Sequence, residues 1–238
     1  MGEDERLGRP VPGWSPPPRP DWAQIEGRHV TLERLDPARH AADLHAANRA
    51  SDAIWDYLPY GPFAAEAEYR AWAEGVAVRD DPRFMALIDR ATGRAAGVAS
   101  YLRIDPAAGS IEVGHINLSP AIQRTPAATE AMYLMMRWAF EAGYRRYEWK
   151  CNALNLGSRR AAERYGLSFE GIFRQATVVK GRNRDTAWFA AIDGEWPALK
   201  AAFETWLDPA NFDAGGRQLT PLSTLTRPIL VTSDPALL

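Results

Sequence analysis

The chain has 238 residues, 46% apolar and 24% charged, with a formal net charge of −2, enough for one large domain around a packed core. The near-neutral balance, with no long run of one sign, excludes a nucleic-acid binder that works through a basic patch, and no stretch reaches the roughly 20 apolar residues a membrane span needs. A single cysteine, Cys151, excludes an internal disulfide and suits a reducing cytoplasm, and the four histidines show no metal-ligand spacing beyond a weak pair at 40 and 45, so no metal centre is expected.

Taken in chain order, the first 20 residues carry six of the 18 prolines, including Pro16-Pro17-Pro18. Such a segment favours extended conformations, so residues 1–27 are read as a proline-rich arm, loose or laid over the domain or a second subunit. The early acidic residues and the lack of an apolar run exclude a secretory signal. The alternation in His29-Val-Thr-Leu-Glu-Arg-Leu35 predicts a strand. Asp36 then caps a helix that has Pro37 at its first position and runs to about Arg49. Ser51 to Tyr60 is aromatic and turn-like. A helix from about Ala64 to Val78 follows, with Tyr69, Trp72 and Val76 at helical spacing.

Three strands in hairpin order come next: 83–89, 95–105 and 110–118. The helix 126–142 is apolar on one face and stops at Gly143. A strand at 146–152 precedes a helix at 157–165. Segments 168–179 and 184–192 form a hairpin, and a helix at 195–207 closes the domain. One further strand is expected near Ile229-Leu-Val-Thr232. The strands at 110–118 and 146–152 are joined through a helix and should therefore lie parallel, while the others pair antiparallel. The expected fold is α/β, a single mixed, mostly antiparallel sheet flanked by helices. The domain is placed at 28–213, with a tail at 214–238. Arm and tail together suggest homodimer contacts.

The run from Glu112 to Glu130 concentrates the chemistry. A strand passes through a short polar turn directly into a helix. Thr125 suits the N-cap and Pro126 the first helical position, since a helix start does not need proline's missing amide. The amides of Ala127, Ala128 and Thr129 would then point out of the positive end of the helix dipole, with Gln123 and Arg124 beside them. That arrangement suits a pyrophosphate, although an ordinary capped helix explains the same residues.

Gln123 to Ala128 resembles motif A of the GNAT N-acetyltransferases, Gln/Arg-x-x-Gly-x-Gly/Ala, with Pro126 where the first glycine usually stands. Asn155-Leu-Gly-Ser158, followed by Arg159 to Gly166-Leu-Ser-Phe169-Glu-Gly171, is similar to a segment of the RimJ/RimL-like branch. Trp55-Asp-Tyr-Leu-Pro-Tyr-Gly-Pro62 and Asp193-Gly-Glu-Trp196 resemble that branch too. The resemblance spans roughly residues 28–213. It implies the acyl-CoA N-acyltransferase fold, in which the central parallel strands splay apart. It also implies acetyl-CoA as acyl donor, held by the backbone of Ile116, Asn117 and Leu118, by Gln123 to Thr129, and by Asn155, with Ser158 near the thiol. The acceptor would be a primary amine of a small molecule or a protein N-terminus. A non-catalytic CoA sensor and an acyl-O-transferase are the alternatives.

Amine acetylation needs a base for the ammonium and a proton for the departing thiolate. Glu112 stands where related enzymes often carry a glutamate base. His115 is its rival, and strand alternation puts it on the opposite face unless a bulge intervenes. Ser158 and Tyr165 are the candidate acids, against readings as a capping hydroxyl and a packing ring. Trp55, Tyr57, Tyr60 and Phe63, together with the hairpin 178–184, are expected to build the acceptor pocket. Lys180, Arg182 and Arg184 would attract an acidic acceptor, unless that hairpin is simply a solvated turn.

Overall fold

The structure, a computed structural model, describes residues 7–237; residues 1–6 of the arm and Leu238 lie outside the described residues. Eight strands form one sheet: β1 (Gln24–Glu26), β2 (Val30–Arg34), β3 (Arg83–Asp89), β4 (Arg94–Asp105), β5 (Ser110–Leu118), β6 (Arg146–Asn152), β7 (Ser168–Val179) and β8 (Arg182–Ile192). Their order is β1-β2-β3-β4-β5-β6-β8-β7, and every neighbouring pair is antiparallel except β5–β6. The crossover between those two strands contains helix α3 (Pro126–Glu141), as a parallel connection requires. The remaining helices are α1 (Pro37–Asn48), α2 (Glu66–Ala77), α4 (Leu156–Arg164), α5 (Trp196–Leu207) and the short α6 (Leu222–Thr226).

Alternation along the strands sends side chains to two faces. One face carries Met85, Leu87, Tyr101, Ile111, Val113, Tyr147, Trp149 and Phe189 into the main core, covered by α3 and α5. Tyr101 fixes α3 there by donating its hydroxyl proton to the Met135 carbonyl at 2.6 Å. The helix is also pinned near its start. The Glu130 carboxylate accepts from the amides of Arg28, His29 and Val30 at 2.6–3.0 Å, tying α3 to the start of β2. The other face carries Phe84, Ala86 and Val98 into a second cluster under α1 and α2. Those two helices cover only the β2–β4 side.

Helix ends follow local chemistry. The Asp36 side chain accepts from the Ala38 amide at 2.9 Å, capping α1. Gly166 turns the chain after α4 with φ +82°, and a Cβ there would come within 2.2 Å of Leu199, so packing and backbone both demand glycine.

Three expectations are corrected. Residues 229–232 form no strand. A 3-10 turn, Arg227–Ile229, follows α6, Pro228 supplies no amide, and only single bonds such as Phe169 N–H to Thr232 O link the tail to β7. Strand β1, inside the segment read as an arm, is only three residues long, too short for its alternation to stand out. Thr125 does not cap α3 with its side chain. Its hydroxyl donates back to the Ile122 carbonyl at 2.7 Å.

The described part of the arm lies along the sheet. The Tyr144 hydroxyl donates to the Pro18 carbonyl, the Arg19 guanidinium to the Ile104 carbonyl, and Trp22 packs edge-on against Tyr101. At the other end, Arg159 on α4 grips Asp234 of the tail through two bonds of 2.5 Å, with both side chains buried. Among the described residues no helix is long and apolar enough to cross a membrane.

Candidate active site

β5 and β6 pair in register from Ser110↔Arg146 to Val113↔Trp149 and then stop, although β5 continues to Leu118 and β6 to Asn152. The two strands therefore diverge, and a slot opens between Gly114–Leu118 and Lys150–Asn152. Helix α3 begins at one wall of it and α4 at the other.

At the α3 start, Arg124 takes φ +60° and its exposed side chain projects from the turn. The Gln123 side chain donates to the Leu118 carbonyl at 2.8 Å, fastening the turn to the end of β5. Among the described residues the amides of Ala127 and Ala128 have no acceptor, as expected of a helix start. The expectation for Thr129 fails. Its amide donates to the Thr125 carbonyl at 3.4 Å, and its hydroxyl, buried, accepts from Arg164. Asn117 and Ser119, at the end of β5, are almost wholly buried, and neither the Asn117 amide group nor the Ser119 hydroxyl has a partner among the described residues. Buried polar atoms of this kind call for a polar ligand or water. These residues fit the phosphates and amide groups of coenzyme A. On the opposite wall Asn155 caps α4, its Oδ1 accepting from the Ser158 amide at 3.0 Å.

A bulge changes the disposition of the candidate bases. Val98 pairs with Asn117, but Ser100 pairs with Gly114, so β5 carries one residue more than β4 over this interval. His115 sits there with φ +51°. The extra residue reverses the alternation, and His115 lies on the same face as Glu112, not the opposite one. Its ring stacks on Tyr60 at 5.6 Å and meets Phe84 at 4.9 Å. Burial, together with the positive charges of Arg103 and Arg184, lowers its pKa to about 4. The imidazole is neutral at physiological pH and a weak proton acceptor.

Glu112 is buried at the last paired turn before the slot. Arg103 donates to both carboxylate oxygens at 2.8 Å, and the Lys150 ammonium lies 2.9 Å from one of them. Burial raises the Glu112 pKa above the usual carboxylate value, and Arg103 and Lys150 oppose that shift. Lys150 also reaches Glu148 at 2.7 Å and sits 3.7 Å over the Trp188 ring. Glu148 faces the opposite balance: burial pushes its pKa up, but Arg146 and Lys150 outweigh it and hold it low.

These side chains share the face that α1 and α2 leave bare over β5, β6 and β8. An open basin of about 880 Å³ lies there, lined by Arg103, Glu148, Lys150 and Trp188, with Pro16 and Arg19 of the arm as one wall. Sequence reasoning passed over Arg103, Glu148, Lys150 and Trp188. The signal was the alternation of Arg146, Glu148 and Lys150 with Tyr147, Trp149 and Cys151, since a central strand seldom carries charge on one whole face.

The two candidate acids lie on the core side of the slot. Ser158 Oγ accepts the Trp149 indole proton at 2.9 Å, and its own proton meets no carbonyl or carboxylate among the described residues. Tyr165 is packed between Trp149 and Phe203, and burial raises its pKa. The aromatic turn is divided in the same way. Trp55 is buried core under α2, and Gly61, at φ +69°, lies so close that a Cβ would come within 2.6 Å of the indole. Phe63 packs edge-on against Trp55 at 5.3 Å, and Tyr60 lies between Trp72 and His115 with its hydroxyl buried and unpartnered. Tyr57 is exposed and reaches across the mouth of the slot to donate to the Leu154 carbonyl at 3.2 Å. Lys180 donates to the Trp55 carbonyl at 2.9 Å, so the aromatic turn and the β7–β8 hairpin are in contact. The described residues contain no cluster of three or more metal-ligating side chains.

Comparison with known proteins agrees with this architecture. The Acetyltransferase (GNAT) domain family matches residues 29–168. The structure is similar to that of a GCN5-related N-acetyltransferase from Brucella melitensis, with 49% identity and a TM-score of 0.89 over 91% of this chain and 100% of that one. It is also similar to a protein described as a probable acetyltransferase of the GNAT family from Chromobacterium violaceum ATCC 12472 (42% identity, TM-score 0.75, 79% of this chain and 95% of that one). RimL, a ribosomal L7/L12 alpha-N-protein acetyltransferase, shares the fold at 23% identity and a TM-score of 0.60 over 71% of this chain and 93% of that one. No curated protein matches the chain.

Proposed function

The chain belongs to the GNAT acetyltransferase family, and from that premise we propose that it is an acetyl-CoA-dependent N-acetyltransferase that moves the acetyl group directly to a primary amine. The observation that carries the reading is the divergence of β5 and β6 after Val113 and Trp149, beside a helix start with unpaired amides. The free edge of Ile116 to Leu118 would bind the donor's extended arm. Arg124 and the amides of Ala127 and Ala128 would take its pyrophosphate, with Gln123 and Thr125 shaping the turn. When bound, acetyl-CoA supplies an activated thioester carbonyl.

Glu112 is the base in this reading. Burial makes its carboxylate a better proton acceptor than an exposed one, while Arg103 and Lys150 favour its charged form and oppose that rise. It takes the ammonium proton of the acceptor, directly or through one water. His115, with a pKa near 4, serves as the wall behind Tyr60. Ser158 holds the proton for the leaving thiolate, and the indole bond it accepts from Trp149 makes that proton easier to release. The RimJ/RimL-like character of the Asn155 to Gly171 segment supports placement in that branch, and the single cysteine supports a cytoplasmic setting.

Isothermal titration with acetyl-CoA, followed by thiol release across an amine library, tests the proposal. Micromolar binding and amine-dependent release are expected. No binding at those concentrations, or release from hydroxyl acceptors alone, would overturn it.

A further inference from the structure

The uncovered face holds more cationic groups than its acids can satisfy. Arg103 is spent on Glu112, Arg146 on Glu148 and Glu170, and Lys150 on Glu112 and Glu148. Arg184, on β8, is not spent. It precedes Thr186 and Trp188 on the same face, and those two residues pair with Asn152 and Lys150 across the end of β6. Arg184 is half-buried, its Nε is buried without a partner, and no acid of the described residues lies within ion-pair distance. The groups that reach it electrostatically are Cys151, Glu112 and Arg103, which surround the slot. A guanidinium held partly out of water with an unmatched N–H is unfavourable unless an anion completes it.

The donor's phosphates are assigned to the start of α3, which leaves the acceptor to supply that anion. We propose that Arg184 binds an oxyanion of the acceptor, so that the substrate is a small amine that also carries a carboxylate or phosphate group. This inference rests on the acetyltransferase reading. The planar fork of Arg184 suits a bidentate oxyanion, and Glu112 stands nearby to receive the amine's proton. The basin of about 880 Å³ opens on the same face farther along the strands, lined by Trp188 and Lys150.

A matched panel of amino acids, their carboxamides and the corresponding aminophosphonates tests this in the full-length enzyme by acetyl-CoA-dependent thiol release. The oxyanion acceptors should exceed the carboxamides in kcat/KM by about tenfold or more. Arg184→Gln should bring that ratio to near one while leaving the Kd for acetyl-CoA unchanged, and Arg184→Lys should restore part of it. A preference for either carboxylates or phosphonates supports the proposal and identifies the group. Equal turnover of acids and carboxamides by the wild type would overturn it. So would an Arg184→Gln variant that loses acetyl-CoA affinity but keeps the acceptor ratio. A wild type that binds no acetyl-CoA would instead overturn the acetyltransferase reading itself.

Discussion

Trp188 and Phe189 are neighbours on β8, yet they belong to different molecules in the chemical sense. Phe189 points into the core under α3 and α5 and has no exposed surface. Trp188 points the other way, onto the face that α1 and α2 leave bare, where it carries Lys150 on its ring and packs beside Phe173. The same alternation runs through β6, with Tyr147, Trp149 and Cys151 inward and Arg146, Glu148 and Lys150 outward. One strand set thus supplies both a rigid wall and a charged working surface. Groups placed on strands are held more firmly than groups on loops, which is what proton transfer at a fixed distance requires.

The sharpest way to break this comparison is to truncate both neighbours. Phe189→Ala should lower unfolding stability by about 3–5 kcal/mol, because it removes a fully buried ring and leaves a cavity. Trp188→Ala should cost about 1–2 kcal/mol at most and instead raise the acceptor KM. Chemical denaturation of both variants reads the difference; equal losses would mean that the two faces are equally structural.

His115 offers a second test, because it lies on the working face yet is packed like a core residue. Its folded pKa of about 4 lies below the unfolded value near 6.5. Its contribution to stability is therefore complete above pH 6.5 and lost as pH falls toward 4, since the unfolded chain binds the proton first. The full contribution is on the order of 3 kcal/mol. His115→Phe should remove that dependence, so the difference in stability between wild type and variant should change between pH 7 and pH 4. A flat difference would show that the imidazole titrates normally.

The smallest effect is expected at Asn117. Its buried amide makes no bond among the described residues, so Asn117→Ala should leave thermal stability unchanged or slightly higher. The kcat/KM should nevertheless fall about tenfold, because a bound substrate loses a polar partner. A marked loss of stability would give Asn117 a structural role.

Much of this architecture was legible in the sequence. The crossover rule made β5 and β6 parallel, and the polar turn before Pro126 marked the helix start beside them. Other features depend on events that local pattern does not record. The bulge at His115 adds one residue to β5, and its one local signal is the isolated Gly114 inside the strand pattern, so simple alternation sent the imidazole to the wrong face. The role of Glu148 and Lys150 depends on where α1 and α2 land, which is settled by tertiary packing and not by β6 itself. Trp55, read as a pocket wall from its aromatic neighbours, is core because Tyr69 and Phe63 close over it. Residues 229–232 are apolar and β-branched like a strand, but the 3-10 turn Arg227–Ile229 takes up their start, and only single bonds reach the outer edge of β7.

In the proposed reaction Glu112, buried and flanked by two cations, accepts the acceptor's proton. Glu112→Gln keeps the shape and removes the charge. Steady-state turnover at neutral pH, measured beside the Kd for acetyl-CoA, separates chemistry from binding. The account predicts a fall in kcat of about a hundredfold or more with the Kd within about twofold, and wild-type turnover that declines as pH drops through the raised carboxylate pKa. An unchanged kcat, with the same pH profile in both proteins, would contradict it.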